Sequence, residues 1–142
     1  AHDPIRPAAF ARRVTIWRGR LAGCRFDLMD FEAAMARARP GDLVYCDPPY
    51  AHSQTILYGA QAFDLDRLWR AVEACRSRGV AVAVSLDGTK KSGRQACRID
   101  VPPGLFARER MVDVGRSMLK RFQMEGQSCE AEEVRDRLLL TW

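Results

Sequence analysis

The sequence predicts an α/β protein whose sheet is mostly parallel, with an antiparallel strand pair towards its C-terminal end. Two patterns predict it. The apolar runs LVYC (43–46) and VAVAVSL (80–86) flank a periodic segment, DLDRLWRAVEACRSRG. Strand, helix, strand with so short a return implies a parallel pair joined by a right-handed crossover. Farther on, ARERMVDV and VRDRLLLT read as two longer strands separated by a polar excursion, which suits an antiparallel pair at the sheet edge.

Each element has a local reason. After HDPIRP, residues Phe10, Val14, Trp17 and Leu21 recur at steps of four, three and four, which puts them on one helix face with Arg12, Arg13, Arg18 and Arg20 largely elsewhere. Gly23 fits as the stop of that helix. CRFDLM reads as a short strand, and FEAAMARA as a helix closed by Pro40 and Gly41. LVYC reads as a buried strand, since four apolar residues in succession are bounded by turn formers. In the next helix Leu65, Leu68, Trp69, Val72 and Cys75 share one side, and Gly79 is its cap. DGTKKSGR reads as a basic turn. No internal repeat or low-complexity tract is present.

The 142 residues, 47% of them hydrophobic, suffice for one core. The expected organisation is a single domain over 1–142, with a helical segment at 1–23 and the sheet in 24–142. The net charge of +5 is unevenly spread. Residues 1–23 carry five Arg against one Asp, and residues 76–121 carry eleven Lys and Arg against four acids. Such clustering suits a polyanion-facing surface, and it also suits a merely solvated one. Five cysteines without a CxxC pair, and only two histidines, point to reduced thiols in a cytoplasmic protein, with no metal framework and no disulfide scaffold. No apolar span of membrane length and no signal peptide is visible.

The informative stretch is GDLVYCDPPY, residues 41–50. In an open α/β sheet, ligands sit beyond the carboxyl ends of the strands, which is where Asp47 to Tyr50 fall. Pro48 and Pro49 fix φ, supply no N–H and push the preceding residue into extended geometry. What results is a rigid cup of acceptors: the Asp47 carboxylate and the Pro48 carbonyl, with the flat ring of Tyr50 nearby. A planar substrate bearing an amino group would fit it. A rigid proline loop with a turn-forming Asp is the plainer alternative.

With these residues in view, the chain resembles the adenine-N6 DNA methyltransferases that use S-adenosylmethionine, in the branch containing the bacterial and phage Dam-like enzymes. The resemblance covers MDFEAAMARARPGDLVYCDPPY, the spacer with Tyr58 and Phe63, the helix and VSLDG strand, GRSMLKRF and VRDRLLLTW, most of residues 20–142. It implies a Rossmann-like methyltransferase sheet and a flipped adenine in DNA as the substrate. By the same resemblance Asp47, Pro48, Pro49 and Tyr50 are catalytic. Asp47 and Pro48 would accept the two N6 hydrogens and Tyr50 would stack on the base, while Asp30 and Phe31, with Asp47, would lie along the cofactor. An N-cap Asp and a core Phe are the alternative for that pair.

Lys90, Lys91 and Arg94, and then Arg116, Ser117, Lys120 and Arg121, form two basic turns expected to contact phosphates. No metal is required. His52 reads as a surface donor more readily than as a general base, and Tyr58 and Phe63 match aromatic positions of the family's active-site loop, with plain core anchors as the alternative.

One departure matters. Members of this branch open with a glycine-bearing FxGxG-like turn for the cofactor's methionine part, and no GxG exists here. The resemblance is therefore to a catalytic portion incomplete at its N-terminus, with a second chain or a missing segment expected to carry that turn. Two further readings stay open: a DNA-binding relict or regulatory fragment without chemistry, and an RNA or protein-amide methyltransferase of the same fold. The amide enzymes typically read NPPY, and this chain contains no Asn.

Overall fold

The structure is a computed structural model that describes residues 5–49, 63–90, 95–97, 99–116 and 133–142. In chain order its elements are α1 (Pro7–Arg20), α2 (Phe31–Ala36), β1 (Leu43–Cys46), α3 (Leu65–Ser77), β2 (Ala81–Lys90), β3 (Gln95–Ala96), β4 (Arg108–Arg116) and β5 (Glu133–Leu140).

Helix α1 starts on Pro7, where a missing N–H costs nothing, and ends with Arg18 and Arg20 against its negative pole. Its apolar stripe forms as the spacing predicts, yet none of its residues is buried, and Phe10 and Trp17 are more than half exposed. The strand expected over CRFDLM does not form. Residues 24–30 have no regular structure, and Phe26 and Leu28 stand exposed. A strand needs a ladder partner for its backbone groups, and this segment has none among the described residues.

The parallel unit does form. Asp30 caps α2 by accepting the Glu32 N–H at 2.9 Å, although α2 stops at Ala36, short of the full FEAAMARA run. Gly41 and Gly79 both take positive φ (90° and 75°), and the Gly41 N–H donates to the Gly79 carbonyl at 3.1 Å. Two left-handed turns thus tie together the starts of β1 and β2, a conformation that glycine adopts without a Cβ penalty. The strands then pair in parallel, Leu43 opposite Ala81 through Cys46 opposite Val84. Between them α3 is capped by Asp64, which accepts the Asp66 and Arg67 amides at 2.8 and 3.3 Å.

The sheet corrects the expectation of a mostly parallel arrangement. The strand order is β1-β2-β5-β4, with β3 paired to β2 as a short antiparallel addition. Only β1 and β2 pair in parallel among the described strands, because β5 inserts antiparallel between β2 and β4. The two C-terminal strands are the antiparallel pair expected, with β4 outermost. Since β5 opposes both neighbours, β4 runs in the same direction as β1 and β2.

One face of the sheet carries the core. Val82, Val84 and Leu86 of β2 pack with Leu68, Trp69, Val72 and Cys75 of α3, together with Met35, Leu105 and Leu139. Each fully buried side chain of this size stabilises the fold by ~1.5–3 kcal/mol relative to exposure. Trp69 meets Phe106 edge-on at 5.8 Å, which closes the cluster from the loop before β4.

Strand β1 is less enclosed than four successive apolar residues suggest. Val44 and Cys46 are half-buried, whereas Leu43 and Tyr45 on the other face are 62% and 60% exposed. Among the described residues β1 pairs only with β2, so it is an edge strand. Strand β2 also runs farther than VAVAVSL predicted and takes the first part of the expected basic turn into a ladder with β3, Lys90 opposite Gln95.

Candidate active site

Strand direction decides which residues meet. Because β1, β2 and β4 are co-directional, Asp47 after β1, Lys90 at the end of β2 and Arg116 at the end of β4 all lie at the carboxyl end of the sheet. The strong helix former between β1 and β2 forces their parallel course, and the β4–β5 reversal returns a third strand in the same sense. The carboxyl end of the sheet thus receives the acidic motif and the leading residue of each basic cluster, with Lys90 and Arg116 several residues beyond the level of Asp47. Of Lys90 and Arg116 only the backbone is described.

A cavity of about 490 Å³ runs along β1 and α2 up to the motif, lined by Phe31, Ala34, Met35, residues 43–46, Asp47, Pro48, Pro49, Phe63 and Leu68. The volume is within the range of small-molecule sites. Asp47 is exposed, Pro48 is buried and Pro49 is half-buried, which matches a fixed proline hinge holding an accessible carboxylate. No cation pairs with Asp47 among the described residues. Tyr50, His52, Tyr58, Lys91, Arg94, Ser117, Lys120 and Arg121 lie outside the described residues.

The cavity is aromatic where α2 borders it, and an ion-pair cluster sits next to Phe31. The Phe31 and Phe63 rings meet at 5.6 Å, tilted by 44°. Phe31 also packs against the core, in keeping with its simpler reading, but the same ring lines the cavity. Asp30 is the helix cap, as its simpler reading holds, and its second oxygen accepts from Arg67 Nη2 at 3.0 Å. That hydrogen bond, with the Glu32 amide as the next cause, holds the Asp30 carboxyl below its ordinary pKa of 3.8. Arg67 Nη2 also donates to Glu32 Oε2 at 2.7 Å, and the guanidinium sits 5.0 Å from the Phe31 ring centroid.

Burial pushes the Cys46 thiol up to about 11, with the neighbouring Cys75 adding to the shift, so Cys46 is an inert apolar wall rather than a nucleophile. Among the described residues no group of three or more His, Cys, Asp or Glu could hold a metal. No helix among them is long and apolar enough to cross a membrane.

Sequence reasoning missed Arg67. A signal was available: a cation in the first turn of a helix opposes the macrodipole, so Arg67, three positions after the cap, asks for a local partner. The Asp30 and Glu32 carboxylates supply it.

The donor set suits an adenosine-bearing cofactor at its base end. Aromatic rings offer a stacking platform, and a carboxylate has about four acceptor sites, of which the Glu32 amide and Arg67 take two. For the amino-acid end of such a cofactor the sequence offers no GxG turn.

A sequence model of the family described as D12 class N6 adenine-specific DNA methyltransferase matches residues 13–92, more than half of the chain. The match contains Asp30, Phe31, Asp47 to Tyr50 and Arg67. No curated protein matches significantly, and no solved structure does.

Proposed function

The chain belongs to the D12 class of N6 adenine-specific DNA methyltransferases, and on that premise we propose that it transfers a methyl group from S-adenosylmethionine to N6 of an adenine flipped out of DNA. The observation that carries the proposal is the single cavity joining the Asp47-Pro48-Pro49 cup to the Phe31 and Phe63 rings. A nucleobase and a cofactor must be adjacent for direct transfer, and one space lined by both the Asp47-Pro48-Pro49 segment and the Phe31 and Phe63 rings supports that arrangement.

The roles follow from local chemistry. Asp47 and the Pro48 carbonyl accept the two hydrogens of the adenine amino group. Their rigid placement turns the nitrogen lone pair towards the incoming methyl group, an orientation effect of the kind that removes much of a bimolecular barrier. An ionised acceptor binds an N–H about twice as strongly as a neutral one, so the carboxylate matters more than the carbonyl. Tyr50 stacks on the flipped base, which offsets part of the unstacking cost with ~1–3 kcal/mol. Phe31, Phe63 and Asp30 hold the adenine end of the cofactor, whose sulfonium supplies an activated methyl group. The sulfonium carries its own leaving group, so the reaction asks for no metal. Lys90, Lys91, Arg94, Arg116, Ser117, Lys120 and Arg121 contact phosphates at the same end of the sheet.

The open edge of β1, with Leu43 and Tyr45 exposed, supports completion of the sheet by a cofactor-binding portion that brings the glycine turn. The same edge suits the second reading, a DNA-binding fragment without chemistry. With a complementing portion present, labelled S-adenosylmethionine should deliver its methyl group to DNA. Asp47→Ala should lower the rate by at least about 10²–10³-fold, the usual loss for a donor or acceptor that acts on the transition state. Full activity in Asp47→Ala would refute the assignment, and salt-dependent DNA binding without any transfer would favour the second reading.

A further inference from the structure

Arg67 ties together three groups at the start of α2, next to the stretch where Phe31 lines the cavity. A single nitrogen, Nη2, donates to Asp30 at 3.0 Å and to Glu32 at 2.7 Å, while the guanidinium plane covers Phe31 at 5.0 Å. Two of these groups are side chains of α2 and the third is its cap, whereas Arg67 belongs to α3, whose packing on the core is fixed by Leu68 and Trp69 beside it. Asp30, Phe31 and Glu32 would otherwise be a helix start of only six residues, too short to hold its own first turn.

We infer that Arg67 is the positioning residue for the cofactor's adenine: it fixes the Asp30 carboxylate and the Phe31 ring in the geometry that presents one to an amino group and the other to a purine face. This rests on the methyltransferase reading above. Arg67 makes no contact with the ligand itself. Its contribution is preorganisation, because rings and carboxylates that are already ordered lose no rotamer freedom on binding. The geometry also explains why an arginine occupies a helical position that opposes the dipole: the local cost is offset by two carboxylates and a ring.

The test is calorimetric binding of S-adenosylhomocysteine to the chain with the complementing portion present, with thermal melting as a control on folding. Arg67→Met should weaken binding about tenfold. Arg67→Lys, whose ammonium still reaches both carboxylates, should restore it to within about threefold of wild type, since a point charge keeps the pairing without the planar fork. Arg137→Met removes an ion pair between β4 and β5 and should leave binding unchanged at temperatures where the chain is folded. A wild-type chain that takes up no S-adenosylhomocysteine overturns the cofactor reading and the inference together. Uptake by wild type with Arg67→Met equally tight overturns the inference alone. So does a Lys variant no better than Met, which would reduce Arg67 to packing.

Discussion

At Gly88 the backbone of β2 passes so close to its neighbours that a Cβ would stand 2.5 Å from the Arg135 carbonyl oxygen and 2.7 Å from Met111 Cε. The methionine can move, but the β5 backbone cannot without breaking the ladder. The same residue marks the register shift between Asp87 and Thr89, where one extra residue on β2 increases the local twist. Gly88→Ala should therefore destabilise the fold by ~1–3 kcal/mol, the range for overpacking a close-packed site. Chemical denaturation measures it, and an unchanged midpoint would contradict the geometry. Gly88 was read from the local pattern as part of a basic turn and, through the family resemblance, as the end of a VSLDG strand. Nothing local distinguishes a turn glycine from one demanded by a strand that pairs with it some fifty positions later. Asp30 was legible as a helix cap, because an acid before a helix is a cap whether or not it also faces a ligand. Arg67 shows the limit: its oddity was visible, but its partners lie 37 and 35 residues away.

Among the elements, α3 was the most legible, since its apolar period, its capping Asp64 and its closing Gly79 agree with one another. Strand β1 was legible in type and not in surroundings. Apolarity on both faces says that a strand is meant to be covered, and cannot say by what. The position of β5 was hidden for a related reason: insertion between β2 and β4 is a choice among long-range pairings with similar local patterns. That insertion is clamped by Arg137, which meets Glu109 of β4 through two hydrogen bonds of 2.7 and 2.9 Å and donates to the Ile99 carbonyl at 3.2 Å. The Arg137 hydrogen bonds hold the Glu109 carboxyl below its ordinary pKa of 4.5. A carboxyl depressed in the folded state adds stability above its unfolded pKa and loses it as pH falls through the folded value. Wild-type melting temperature should thus drop more steeply from about pH 6 to about pH 3 than that of Glu109→Gln. Parallel curves for the two proteins would remove the clamp from the account.

At the scale of the whole molecule, three co-directional strands deliver an acidic cup and two basic positions to one end of the sheet, and one cavity is lined by both that cup and the aromatic rings. Composition alone left the charge clusters ambiguous, since a basic surface and a solvated one look alike in a count of residues. Topology puts Lys90 and Arg116 at the end of the sheet that carries Asp47, and phosphate contact there remains part of the proposal. The family was legible through DPPY because the motif is local, one acid, two prolines and a tyrosine within four positions. The rest of the site depends on how α2 and α3 meet, which only the fold determines. The most direct measurement is nucleoside analysis of DNA after incubation with S-adenosylmethionine and the complemented chain. N6-methyladenine as the sole new base, lost in Asp47→Ala, is the predicted result; methyl groups on cytosine, on RNA or on protein instead would contradict the account.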